Sequence, residues 1–104
     1  MENIMRHRNW LVEDNLVALY IALHKYKDLS FQLKEIEEII PLKGFGMRIQ
    51  NYIAIDTQGK EGLDAALKSP LFNELYDIFK DFNQVKFARL VNSILEVKIK
   101  VNKK

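Results

Sequence analysis

The chain contains no cysteine. That absence removes disulfides, thiolate zinc sites and a cysteine nucleophile together. It holds only two histidines, His7 and His24, at a separation that fits no zinc pattern. No serine has a histidine and an acid placed around it in the sequence, so a hydrolytic triad has no support. Glycine and proline are scarce, four and two residues, and sit in two places: Pro41 with Gly44 and Gly46, then Gly59 and Gly62 ahead of Pro70. Gly44-Phe45-Gly46 lacks the third glycine and the preceding strand of a dinucleotide loop, and no phosphate loop ending in G-K-[ST] occurs. There is no repeat and no low-complexity stretch. No apolar run approaches the roughly 18–20 residues that span a bilayer. Met1 to Arg8 shows no apolar signal core. These absences predict an intracellular, cytoplasmic protein with no membrane association, no cofactor and no metal.

The 104 residues are 48% hydrophobic and 11% aromatic, enough for one small core and too much for a disordered chain. The chain therefore reads as a single helical domain over 1–104. The formal net charge of +2 hides an uneven distribution. Residues 1–30 balance four basic against four acidic groups, 31–56 three against four, and 57–83 three against five. Residues 84–104 carry six basic groups and one acidic group, +5 in all. Phosphate binding would have to use a local face and this tail rather than the whole surface.

Apolar spacing predicts helices throughout. The first runs over 11–27, with Val12, Leu16, Leu19, Tyr20 and Leu23 on one face, Asn9 as cap, and Glu13 and Asp14 at the positive end of the helix dipole. The second covers 31–40, capped by Ser30 and ended by Pro41, with Leu33, Ile36, Ile39 and Ile40 inward. The third covers 47–55, with Ile49, Tyr52 and Ile53 inward, although its isoleucines also suit a strand. Residues 57–69 read as irregular, with one turn at Leu63–Leu67. Ser69-Pro70 starts a fourth helix carrying Leu71, Phe72, Leu75, Phe79 and Phe82. Asn83 breaks it. A fifth helix follows over 84–96, with Phe87, Leu90, Val91, Ile94 and Leu95 inward. Val97-Lys98-Ile99-Lys100-Val101 alternates like a strand and is compatible with fraying, with helix continuation or with pairing to another copy.

The order and length of the first three helices, the tryptophan at the start of the first and the glycine-bearing turn before the third fit a Myb/SANT-type module. A narrower likeness lies in four blocks. Asn9-Trp10-x-x-Glu13-Asp14-Asn15-Leu16-Val17-Ala18-Leu19-Tyr20, Arg48-Ile49-x-Asn51-Tyr52-x-Ala54-x-Asp56, Gly59-x-x-Gly62-Leu63 and Leu75-Tyr76-x-x-Phe79 resemble the N-terminal helical head of bacterial HNH-type endonucleases and related restriction or defence proteins. Together they cover about residues 9–82. Leu11 stands where that family has a threonine or serine. Lys43-Gly44-Phe45-Gly46 replaces its serine-rich turn, without the usual arginine. The resemblance implies an all-α fold with a three-helix Myb/SANT-like core, extended by one or two C-terminal helices, and a DNA-binding or targeting head here without a nuclease domain.

Two functions follow as expectations. In the first, the protein is a non-enzymatic binder of double-stranded DNA. Helix three enters the major groove with Arg48, Gln50 and Asn51, since arginine and asparagine pair bidentately with guanine and adenine. Lys43 approaches a phosphate beside its glycines, Lys98 and Lys100 anchor phosphates with Lys86, Arg89, Lys103 and Lys104, and Arg6 and Arg8 act as an N-terminal arm. In the second, the acidic run Glu35, Glu37 and Glu38 repels phosphate and binds a protein partner instead, so that the chain docks onto or inhibits a larger nuclease or defence complex. A homodimer through the C-terminal helix and Val97–Val101 is compatible with either. Trp10 is expected in the core, Asn51 and Asp56 have a structural alternative in closing helix three, and His24 is expected to complement the helix dipole. Glu96-Val97-Lys98 matches half of a nuclease metal motif but lacks the upstream aspartate and mixed sheet.

Overall fold

The computed structural model describes residues 10–62 and 69–102, and in them five helices and no strand. The helices are α1 (Val12–His24), α2 (Leu33–Ile39), α3 (Phe45–Asp56), α4 (Pro70–Phe79) and α5 (Gln84–Asn102). The chain is all-α with additional C-terminal helices, as its spacing predicts. Helix continuation is the outcome for Val97–Val101, and the strand reading of 47–55 falls.

α1 is the central element. Every residue from Asp14 to Ala22 is buried, so this helix has no solvent face along most of its length. It packs chiefly against α3 on one side and α5 on another, while α4 rests on α3 and α2 rests on α5. A helix apolar nearly all round is a core helix. Leu16, Leu19 and Tyr20 lie inward as the spacing predicts, but Val12, in the first turn, is 55% exposed. α1 and α5 run antiparallel, since Tyr20 meets Phe87 near one end and Asp14 meets Lys98 near the other.

The caps show how local chemistry sets each boundary. α1 begins at Leu11, whose N–H donates to Asp14 Oδ2 at 2.9 Å, the carboxylate half of a capping box. The cap expected at Asn9 lies outside the described residues. α2 starts later than predicted, because Gln32 takes the cap position and its N–H donates to Glu35 Oε1 at 2.9 Å. Ser30 is not the cap; its N–H donates to Asn92 Oδ1 on α5. Ile40, forced out of the helical region by Pro41, closes α2. Gly44 starts α3 in the left-handed conformation, φ +83°, which an L side chain rarely adopts. Pro70 opens α4 behind Ser69, whose Oγ accepts from the Phe72 N–H. α4 ends at Phe79, earlier than the break expected at Asn83 and leaving Phe82 outside it; Asn83 instead caps α5, its Oδ1 accepting from the Lys86 N–H at 3.0 Å.

After α3, Thr57 ties the turn together, its hydroxyl donating to the Ile53 carbonyl and accepting from the Glu61 N–H. Gly62 then lies flat on α3. A Cβ there would sit 2.4 Å from the Gln50 carbonyl oxygen and 2.9 Å from the Ala54 nitrogen. The turn expected at Leu63–Leu67 lies outside the described residues. α4 contributes only Leu75 as a fully buried residue; Leu71 and Phe82, expected inward, are 47% and 41% exposed.

Two polar side chains of α5 fasten the α1–α2 connection. Gln84 Nε2 donates to the Tyr20 hydroxyl and to Asp28 Oδ2, and Asn92 Nδ2 donates to the Asp28 carbonyl. Around them Phe87 is fully buried, edge-on to Tyr20 at 5.0 Å and packed by His24, Phe79 and Phe82.

Candidate interaction surfaces

At the N-terminal end of α1 the structure gathers Trp10, Asp14, Asn15, Arg48, Tyr52, Phe72 and Lys98. Asn15 is at its centre, 1% exposed. Its Oδ1 accepts from Arg48 Nη1 at 3.0 Å and from the Tyr52 hydroxyl at 2.9 Å, and its Nδ2 donates to the Leu11 carbonyl. The Arg48 guanidinium lies 4.0 Å from the Trp10 ring centroid and 4.7 Å from that of Phe72, a cation between two aromatic faces. Trp10 in turn stacks on Phe45, so its core role joins the entry of α1 to the start of α3. Burial pushes the Tyr52 phenol well above its usual range, which keeps it a hydrogen-bond donor to Asn15.

This cluster corrects two site expectations. Arg48 does not face outward from α3; it occupies the inward stripe between Phe45 and Tyr52 and is bound by Asn15 and two rings. Lys98 is not a free phosphate anchor. Its ammonium is 3.0 Å from Asp14 Oδ1, with the lysine side chain 16% exposed and the carboxylate fully buried. Both cations are committed to charges and dipoles of the protein itself. Sequence inspection missed Asp14 and Asn15 as buried polar residues. Their signal is the unbroken apolar run that follows them, Leu16 to Leu23, which marks a helix buried on every side.

The remaining candidates are separated. Lys43 and Gln50 are exposed and Asn51 is half-buried. With Arg48 turned in, α3 presents no exposed cation. Part of its outer side, at Gln50, Ile53 and Ala54, is also covered by Gly62. Arg6, Arg8, Lys103 and Lys104 lie outside the described residues. Lys100 is exposed on α5, as are Lys86 and Arg89. Asp56 is structural: its Oδ1 accepts from the Tyr76 hydroxyl at 2.8 Å, tying α3 to α4. Burial, reinforced by that bond and nearby carboxylates, pushes the Tyr76 phenol up to about 12. On α2, Glu35 caps its own helix, while Glu37 and Glu38 are exposed. Glu96 and Lys98 point to different sides of α5, outward and inward, so they do not form half of a metal site. Among the described residues no group of three or more histidine or acidic side chains is arranged to hold a metal, and no helix is long and apolar enough to cross a membrane.

One concave surface stands out near this cluster. A shallow groove of about 310 Å³ is lined by Glu13 of α1 and by Ser93, Ile94, Val97 and Lys98 of α5. Because the Lys98 ammonium is held by Asp14, the lysine lends the groove its methylenes. Leu90 and Ile94 are half-buried, and Val97 and Val101 are 58% and 60% exposed, so an apolar stripe runs along α5 into solvent. Comparison of the chain with protein-family models, with curated proteins and with solved structures gives no match, and a functional reading rests on these surfaces.

Proposed function

We propose that this protein is a non-enzymatic interaction module that binds another protein through the apolar face of α5. The observation that carries the reading is the stripe Leu90, Ile94, Val97 and Val101, against which no helix packs fully among the described residues, while every residue of α1 from Asp14 to Ala22 is enclosed. Contiguous exposed apolar surface is where a partner gains most from burial. The resemblance to the heads of restriction and defence proteins supports a larger nuclease or defence assembly as the setting. The acidic residues Glu37 and Glu38 on α2 offer a second contact face. A photo-crosslinking residue placed at Val97, at Glu38, or at Lys60 as a control tests this in cells. Protein adducts from position 97 are expected. Adducts from position 38 alone would move the site to α2, and adducts from neither would remove the reading.

A DNA reading survives in a narrower form, favoured by Lys86, Arg89 and Lys100, which are exposed on one side of α5. In this form the helix contacts backbone phosphates without reading a groove, and three phosphate contacts correspond to a slope of about −3 in log affinity against log salt. Fluorescence anisotropy with a random-sequence duplex measures it. Absence of binding at low salt removes the reading.

A further inference from the structure

We infer that the occupant of the α5 groove is an acidic amphipathic helix of a partner protein, with its carboxylates over Lys86, Arg89 and Lys100. The inference rests on the interaction reading above and gives the partner its chemistry. Leu90, Ile94, Val97 and Val101 lie at intervals of four, three and four residues, which places them in one line along the helix. A row of cations borders that line. Lys86 stands four residues before Leu90, Lys100 three after Val97, and Arg89 three after Lys86. All three are exposed. Among the described residues the ion pairs are Lys98 with Asp14 and Lys80 with Asp77, and neither takes up a charge of this row. Glu96 is the one acidic residue of α5, so three exposed cations face a single carboxylate. A partner that covers the apolar line brings its own flank over these cations, well within a Debye length. Basic residues on that flank cost affinity and acidic ones add to it.

Shape selects a helix as the covering element. Across from Ile94 and Val97 stands Glu13 of α1, so the far border of the line is the wall of the groove of about 310 Å³. A ridge of side chains from one helix fills such a groove. From Leu90 to Val101 the line runs about 16 Å, or three helical turns. A bilayer surface or a duplex backbone would cover the cations but leave the groove wet, and would set phosphate against Glu13. An amphipathic helix covers both parts at once. Glu13 also repels acidic residues on its own side, so the partner's carboxylates belong on one flank only.

Fluorescence anisotropy of the full chain with two labelled designed peptides tests this. Each is about four helical turns long, with leucines at intervals of three and four residues. One flank carries glutamate in the first peptide and lysine in the second; the other flank carries glutamine in both. The glutamate peptide is expected to bind about tenfold more tightly at low salt, with the gap narrowing as salt rises. Lys86→Glu with Lys100→Glu, at exposed positions, is expected to invert the preference with an unchanged urea midpoint. Val97→Asp is expected to weaken both complexes. Equal binding, binding of neither peptide, or a preference untouched by the charge reversal overturns the inference. So does tighter binding to vesicles of equal parts phosphatidylcholine and phosphatidylserine, or to a random-sequence duplex, which would assign the row to phosphates. Crosslinking from position 97 in cells keeps the two levels apart. Protein adducts lost on charge reversal support the acidic partner. Adducts that persist overturn it and leave the interaction reading standing; no adduct from the wild-type background removes both.

Discussion

The two ends of α1 are held by opposite chemistry. Its C-terminal end closes on rings: Tyr20 and His24 against Phe87, with Phe79 and Phe82 around them. Its N-terminal end closes on charges and dipoles: Asp14 with Lys98, and Asn15 with Arg48 and Tyr52. Ring packing gains chiefly from the apolar area it takes out of water, with a smaller contribution from ring geometry. A buried ion pair gains only if its geometry is right, because both charges have left water. The aromatic end therefore supplies stability, and the polar end fixes which surfaces of α3 and α5 meet α1.

Breaking the aromatic end should have the largest effect. Phe87→Ala removes a fully buried ring that four other rings touch. A loss of about 4 kcal/mol is expected, a large share of the roughly 5–15 kcal/mol that holds a domain folded. Urea denaturation measures it, and a loss under about 1 kcal/mol would show that the cluster is loosely packed.

Breaking the polar end comes next. Lys98→Met removes the ammonium that lies 3.0 Å from the buried Asp14 carboxylate, which still accepts from the Leu11 N–H. About 3 kcal/mol should be lost. Combining it with Asp14→Asn, which keeps an oxygen for that N–H, should recover part of the loss. A double variant weaker than Lys98→Met would mean that the carboxylate has further work there.

The smallest effect sharpens the contrast by pH. Burial pushes His24 below its usual 6.5, and Lys27 pushes the same way, against a weaker pull from Asp56. The folded protein therefore favours the neutral ring, which cannot complement the helix dipole as a cation would. In the window between 6.5 and the lower folded value the unfolded chain binds more protons than the folded one. Stability from this residue is complete above about pH 6.5 and declines as pH falls through the window. Taking the difference in urea midpoint between wild type and His24→Phe cancels the other titrating groups. The difference should shrink or reverse in favour of the variant on acidification; a constant difference would show that the ring titrates as it does in the unfolded chain.

The same contrast explains what could be read beforehand. The aromatic end was legible, because Tyr20 and Phe87 stand at helical spacing among apolar neighbours. The polar end was misread, because a cation is ordinarily assigned to solvent. Yet Arg48 lies three residues after Phe45 and four before Tyr52, and Lys98 three after Leu95 and seven after Val91. Both stand on the buried stripe of their helices, where position outweighs charge. The groove was not legible: Val97–Val101 alternates like a strand in the sequence, and Glu13 joins Ile94 and Val97 only through the antiparallel packing of α1.

By itself the sequence determined that the chain is helical and where Pro41, Gly44 and Pro70 punctuate it. These properties depend on neighbours a few residues apart, through backbone sterics and the 3.6-residue turn. Only the tertiary structure decided that α1 is the enclosed helix, that α2 leans on α5, and that Arg48 and Lys98 are internal partners. Those outcomes depend on Asn15 meeting Arg48 across 33 positions and on Ser30 meeting Asn92 across 62. No local preference encodes such pairings. They are selected when the whole chain finds the one packing that leaves its buried charges and dipoles matched.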